Sequence, residues 1–346
     1  MKTKRLYIAI LALFVATGTY AQRNKDQPYF TKDFSENYLQ AVKVQTSGGS
    51  IAVEGDSKNG VKVEMYVRAN NWNGSEVSDE EIEERLKQYD VTIRREGNIV
   101  VAIAKPKDSN GMNWKKGLSI GFKVYTPRNF ATDLRTSGGS IRLASLNGEQ
   151  NFSTSGGSID INDLKGNIKG RTSGGSIEAI NCSDNVDLIT SGGSIKAESM
   201  VGNIRLITSG GSISLADLNG KITATTSGGG VRADGIQGDL ETRTSGGSIR
   251  MKNLAASVKA STSAGSIEAD FDRLGDFVSL STSAGSVRVN MPLNKGLDLD
   301  LRGNRVSIDL KNFDGRMDKD RVQGSLNGGG IPIKLSASSG SIYVNQ

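Results

Sequence analysis

The chain contains no histidine and a single cysteine in 346 residues. Without histidine there is no Ser–His–Asp or Cys–His relay, and the commonest zinc ligand is missing. One cysteine, Cys182, rules out an internal disulfide. Aromatic residues make up 5% of the chain and prolines number 5, against 43 glycines. So few aromatics argue against one large globular core and suit a narrow core of Ile, Leu, Val and Ala. Abundant Gly and Ser would also suit a linker, but a linker has no reason to keep its apolar residues in phase. Long apolar runs are missing too. The run over residues 6–15 follows Lys2, Lys4 and Arg5 and precedes Thr19-Tyr20-Ala21, the pattern of a cleaved secretory leader; it is short for a membrane span. The residue directly after that cleavage point is Gln22 and not cysteine, so a lipid anchor there is not expected. The net charge of +6 owes half its size to this leader. Without it, 40 basic residues face 37 acidic ones, a balance of +3, with no basic cluster of the kind nucleic acid requires.

What the chain does contain is a ruler. The hexapeptide Thr-Ser-Gly-Gly-Ser-Ile opens at Thr136 and, with small variations, at Thr154, Thr172, Thr190, Thr208, Thr226, Thr244 and Thr262, each 18 residues after the last. An isolated copy opens at Thr46, and one at Thr282 follows its neighbour by 20 residues. A fixed short period means one supersecondary unit stacked many times. With Thr as position 1, position 6 is Ile or Val in every unit, as in Ile141, Ile159 and Val231. Position 8 is apolar (Leu143, Ile161, Ala179), as is position 11 from Leu146 to Leu254 (Leu164, Cys182, Met200), and position 15 is mostly apolar, from Ile168 to Val258, with Gln150 an exception in the first full unit. Positions 6 and 8, and again 15 and 17, alternate with polar neighbours as one face of a strand does. Cys182 is therefore read as a small core residue rather than a functional thiol. Gly at positions 3 and 4 is expected to supply free backbone angles at one corner. Gly148, Gly166, Gly202, Gly220 and Gly238 at position 13 mark another bend. The fold predicted is all-β: a parallel β-solenoid with 18-residue coils, a β-helix taken as right-handed by analogy with most of its kind. About ten rungs some ~4.8 Å apart make a rod of about 50 Å.

Outward positions read as ladders. At position 16, Lys169–Asp187, Asp187–Arg205 and Glu241–Lys259 become opposite-sign neighbours. At position 7, Arg142–Asp160, Glu178–Lys196, Arg250–Glu268 and Glu268–Arg288 attract, whereas Asp160–Glu178 and Arg232–Arg250 repel. Such cross-strand pairs contribute about 0.2–1 kcal/mol each and set register. Serines at positions 2 and 5 form two hydroxyl columns. They serve turn chemistry by bonding nearby backbone, or they form a polar strip for a repeating ligand such as a glycan.

The chain divides by pattern into a leader (residues 1–21), a strand-rich N-terminal cap holding the first motif copy and a helical insertion (22–131), a regular solenoid (132–290) and irregular C-terminal coils with a cap (291–346). Caps are needed because a solenoid leaves an open sheet edge at each end. Ser78-Asp79-Glu80-Glu81 is a capping box opening a short helix to about Tyr89. Residues 105–116 form a basic loop containing Trp114. Trp72 and Trp114 are the only tryptophans, both in polar, Asn-rich stretches, and are the candidate contact residues. Asp314, Asp318 and Asp320 lack the spacing of a calcium loop, and residues 312–320 read as a solvated loop. The turn motif returns at Ser338-Ser339-Gly340-Ser341-Ile342, after which no sorting domain is expected.

The leader, the strand-rich N-terminal region, the lead-in Val124-Tyr125-Thr126-Pro127-Arg128-Asn129 and the serial Thr-Ser-Gly-Gly-Ser-Ile turns resemble a bacterial family of β-strand-repeat proteins called putative adhesins, related to the head GIN domain. The resemblance covers about residues 40–345. It implies an exported β-solenoid and brings no catalytic residues. This chain departs from simpler members in the long stretch between its first two motif copies.

The function expected is a non-enzymatic binding or scaffold module, exported to the periplasm, outer surface or medium. It would be non-membrane-spanning once the leader is gone, with no cofactor, no metal and no nucleic acid. Its partner would be a glycan or cell-surface polymer, or an envelope protein. The alternatives are a carbohydrate-active β-helix enzyme, which would need a paired-carboxylate groove, and an envelope signalling component that binds a protein. Only Asp160 and Glu178 bring carboxylates together on adjacent coils.

Overall fold

The computed structural model describes residues 27–69, 77–108 and 117–346. The leader, Trp72 and Trp114 lie outside the described residues. Strands β1 (Phe30–Phe34), β2 (Ala41–Thr46), β3 (Ile51–Glu54) and β4 (Val61–Ala69) precede helix α1 (Asp79–Leu86); β5 (Tyr89–Glu96), β6 (Ile99–Pro106), β7 (Leu118–Tyr125) and β8 (Ala131–Arg135) follow it. The helix starts as the capping box requires, with the Ser78 Oγ accepting from the Glu81 N–H. It stops short of Tyr89, because that ring turns inward and its hydroxyl accepts from the Leu118 N–H at 2.8 Å. Tyr89 thereby begins a strand.

The regular body runs through β9 (Ile141–Thr154), β10 (Ile159–Thr172), β11 (Ile177–Ile180), β12 (Ser183–Thr190), β13 (Ile195–Thr208), β14 (Ile213–Thr225), β15 (Val231–Thr244), β16 (Ile249–Thr262), β17 (Ile267–Thr282) and β18 (Val287–Asn290). Every pairing among them is parallel, with Ile159 over Ile177, Ile177 over Ile195 and Ile195 over Ile213, so identical positions stack. The protein is a parallel β-solenoid of about nine coils. Ile141, Leu143 and Leu146 are fully buried, and Cys182 sits at 1% exposure among them at position 11. Burial pushes the Cys182 thiol up to about 11, with the Asp163 charge adding to the shift against two backbone bonds. It is a core side chain.

The corners work differently from the expectation. Glycines at positions 3 and 4 do not carry positive φ. The left-handed angle falls instead on position 10, at Ser145, Asp163, Asn181, Ser199, Asp217, Gly235 and Asn253, and on the position-13 glycines, such as Gly166 at φ 125. Asp, Asn and Gly tolerate that angle best, which explains the small polar residues at position 10. Position 4 needs glycine for another reason. A Cβ on Gly193 would meet the Gly175 carbonyl oxygen at 2.1 Å, whereas at position 3 a Cβ on Gly192 finds nothing nearer than 3.4 Å.

The threonine that opens each unit is a structural bond-maker. Thr154 Oγ1 donates to the Gly139 carbonyl of the preceding coil at 2.8 Å and accepts from the Gly157 N–H of its own coil at 3.2 Å. The same two bonds recur from Thr136 through Thr262. Gln150, the polar exception at position 15, is fully buried. It accepts from Thr132 Oγ1 at 2.7 Å and donates to the Phe130 carbonyl at 2.8 Å. The 20-residue spacing is absorbed by bulges between β16 and β17, where the offset grows from Met251–Ala269 to Val258–Val278.

Beyond the body lie β19 (Leu297–Arg302), β20 (Arg305–Ser307), β21 (Phe313–Met317), β22 (Arg321–Leu326), β23 (Ile331–Ala337) and β24 (Ser341–Asn345). Residues 312–320 are not a plain loop, since β21 pairs antiparallel with β22. The final coil, β23 and β24, stacks directly on β17 and β18. Its other edge carries β19 and β20, so the chain's last coil lies between two earlier ones. The N-terminal end repeats the device. The first motif coil, β2 and β3, has β8 and β9 on one side and β6 and β7 on the other. Antiparallel strands then close the stack: β4 on β7, β1 on β4 and β5 on β6 at one end, β22 on β19 at the other.

Candidate binding face

Positions 5 and 7 flank the buried position-6 Ile and point outward, so stacking turns them into one long face. On the regular coils the position-5 serines do more than finish a turn. Ser176 Oγ accepts from the Ser194 N–H at 3.2 Å, Ser194 Oγ from Ser212, and Ser212 Oγ from Gly230. Beyond the interruption at Gly230 the pattern resumes, with Ser248, Ser266 and Ser286 each accepting from the next coil. Each bond uses an oxygen lone pair and leaves the hydroxyl proton. Among the described residues, no position-5 hydroxyl in this series donates a bond. The result is a column of hydroxyls with uncommitted protons at the rung spacing of about 4.8 Å. The expected bonding to backbone is present, but it runs between coils rather than within a turn.

A shallow groove of about 300 Å³ follows this column past Ser158, Ser176, Ser194 and Ser212, with Asp160, Glu178 and Lys196 along its side. The charged side chains there are engaged. Arg142 pairs with Asp160 at 3.4 Å, Lys196 with Glu178 at 2.9 Å and, further along, Arg250 with Glu268 at 3.3 Å. The expected Glu268–Arg288 attraction gives way to Arg288 stacking on Tyr343, 5.2 Å from the ring centre. At position 16, Arg205 and Lys259 take Asp187 and Glu241 as expected, but Arg171 rather than Lys169 is the second cation near Asp187.

At the N-terminal end the face changes character. A second groove of about 280 Å³ is bounded by Ser50, Tyr66, Arg68, Ser119, Gly121 and Lys123. Tyr66 donates its hydroxyl to Glu64 Oε2 at 2.9 Å, and Lys62 holds the same carboxylate at 2.6 Å. Burial pushes the Glu64 carboxyl up, but the bonds from Lys62 and Tyr66 and the charges of Lys62 and Lys123 outweigh it and leave it below the usual carboxylate range. Burial, then the Glu64 bond and charge, push the Tyr66 phenol up, so it stays a donor.

Trp72 and Trp114, the contact candidates from sequence, lie outside the described residues, and the face is built without them. Sequence reasoning placed the serine columns and the ion-pair ladders. It missed the threonine ladder, although position 1 continues the inward alternation of positions 15 and 17. It missed the second groove, which β7 completes with residues some way along the chain from Ser50 and β4. No group of His, Cys, Asp and Glu among the described residues could hold a metal ion. No helix among them is long and apolar enough to cross a membrane.

No protein-family model and no curated protein matches the chain. Among solved structures, a putative cell adhesion protein from Clostridium sporogenes ATCC 15579 aligns over 92% of this chain and 100% of its own, at 9% identity and a TM-score of 0.19. A putative adhesin from Bacteroides fragilis NCTC 9343 aligns over 75% of this chain and 96% of its own, at 16% identity and a TM-score of 0.36. Neither overlay is close enough to carry function across, so function rests on the chain's own residues.

Proposed function

We propose that this chain is a non-catalytic, adhesin-like binding rod of the cell envelope, exported by the leader at residues 1–21, whose serine face holds a repetitive glycan or surface polymer. One observation carries the reading: the position-5 hydroxyls accept from the next coil's N–H, which leaves their protons uncommitted, and they repeat coil by coil on either side of Gly230. An extended polyhydroxylated chain offers acceptors at a comparable repeat, so many weak contacts add into avidity. Asp160 and Glu178, the pair a glycan-cleaving enzyme would need, each hold a cation of a neighbouring coil and act as ladder rungs. An array of glycans probed with the mature protein, with reducing-end release followed in parallel, tests the reading. Retention of a polymer without release supports it. Sugar release abolished by Asp160→Asn or Glu178→Gln would overturn it in favour of an enzyme.

A further inference from the structure

The groove at the N-terminal end of the face differs from the rest in ways that belong together. In the outermost coil, Gly121 stands in register with Ser50, so a side chain is missing from the column there. Tyr66 lies directly across the β4–β7 pair from Gly121, and Arg68 across from Ser119. Strand alternation puts Glu64, Tyr66 and Arg68 on one face. Because the Tyr66 hydroxyl is committed to Glu64, its ring serves as a wall beside the gap that glycine leaves. Lys123 is compensated, with Glu54 at 3.6 Å and the Tyr125 ring centre at 4.6 Å. Arg68 is exposed and forms no ion pair among the described residues. The notch therefore combines an aromatic wall, the Ser50 hydroxyl, the Ser119 hydroxyl, which donates to the Gly48 carbonyl at 3.4 Å and keeps its lone pairs to accept, and one guanidinium without an ion pair among the described residues. Its volume of about 280 Å³ is at the small end for ligand pockets, a match for one sugar ring rather than an oligomer.

We propose that this notch is an end subsite for an acidic pyranose, a sugar ring bearing a carboxylate. The ring packs on Tyr66, the carboxylate takes the planar fork of Arg68, and ring hydroxyls meet Ser50 and Ser119. This deepens, and rests on, the reading of the serine face as a polymer site: the face supplies length, the notch supplies the charge requirement and the polarity of the bound chain. A neutral ring would leave Arg68 without a partner, so the notch discriminates by charge where the serine column cannot.

The test uses the mature full-length protein and galacturonate oligomers, compared with neutral galactose oligomers of equal length, by calorimetry and saturation-transfer NMR. The acidic series is expected to bind more tightly. Arg68→Gln should weaken it roughly tenfold or more and leave the neutral series unchanged. Tyr66→Ala should weaken both, and Tyr66→Phe should largely retain binding, because the ring rather than the hydroxyl makes the contact. Unchanged melting of Arg68→Gln, an exposed side chain, separates recognition from folding. Ser194→Ala, far along the face, tests the underlying reading, since it should weaken long polymers and leave the galacturonate monosaccharide unaffected. Equal affinity for acidic and neutral oligomers, or an Arg68→Gln protein that binds as before, overturns the subsite. If long chains of either kind still respond to Ser194→Ala, the serine-face reading stands alone. Arg68-dependent binding with no response to Ser194→Ala overturns the face and keeps the notch. No binding by either series or by any glycan on the array overturns both.

Discussion

In the regular coils the order of the chain is the order of the stack, and at the two ends it is not. From β9 to β18 each coil lies on the one before it. At the N-terminus the outer coil, β6 and β7, is made after the coil it covers, and the body is then laid on that coil's other side. At the C-terminus the last segment slides between β17 and β19. Both ends use one arrangement: a motif-bearing coil held between the body and an outer coil that lacks the motif. A motif coil suits this place because its corner can stack on both sides. Gly49 accommodates the Ile120 carbonyl on one side, and on the other the Gly139 corner packs against Gly49. The outer coils instead take antiparallel strands, which cover the open edge of the parallel ladder.

The largest expected effect breaks the middle. Gly193→Ala drives a Cβ into the Gly175 carbonyl and should destabilise the protein by more than about 4 kcal/mol, while Gly192→Ala, one residue earlier, should shift it by about 0.5 kcal/mol or less. Thermal melts of the two variants give the contrast directly. The same clash placed in the inserted terminal coil by Gly340→Ala, against the Gly285 carbonyl, should open only the end. Hydrogen exchange should then lose protection in β19 to β24 and keep it in β10 to β15, as expected of a nearest-neighbour stack. Loss of protection throughout would show that the ends hold the body together.

Two buried threonines should respond in opposite directions. Thr208→Val strands the Gly193 carbonyl and the Gly211 N–H at a cost of about 1–3 kcal/mol. Thr242, at 1% exposure with no partner for its hydroxyl, lies between Ala224 and Ala260 in the stack. Thr242→Val should stabilise by about 1 kcal/mol, measured by denaturant unfolding. The smallest effect belongs to the N-terminal end. Because Glu64 is held below its ordinary value, its contribution is complete above the unfolded carboxyl range, about 4.3, and is lost as pH falls through the lower folded value. Acid should therefore loosen β4 and β7 in a step that Glu64→Gln removes, as followed by tyrosine fluorescence.

Positions 6 and 8 were legible because period and alternation agree there, and Cys182 at position 11 could be placed by phase alone. Position 10 carries Ser, Asp, Asn or Gly, residues that suit turns of several kinds, so the left-handed backbone there does not follow from residue type alone. The position-4 glycine answers to a neighbouring coil's carbonyl, a contact no single coil contains. The serine column was legible as a column, but the direction of its hydroxyl bonds depends on the coil above. Ser50 was legible as position 5 of the copy at Thr46, but Tyr66 and Arg68 carried no signal, since nothing along the chain relates them to it.

Local pattern was therefore enough for the coil: its length, its inward residues and the ladders between its outward ones, since each depends on alternation and on a repeat that returns identical positions to the same place. Tertiary structure decided which coil lies next to which at the ends, why position 4 must be glycine, and where an aromatic ring, an exposed guanidinium and two hydroxyls meet. Those depend on pairings between segments tens of residues apart, where loop closure leaves many partners open and only the packed stack selects one.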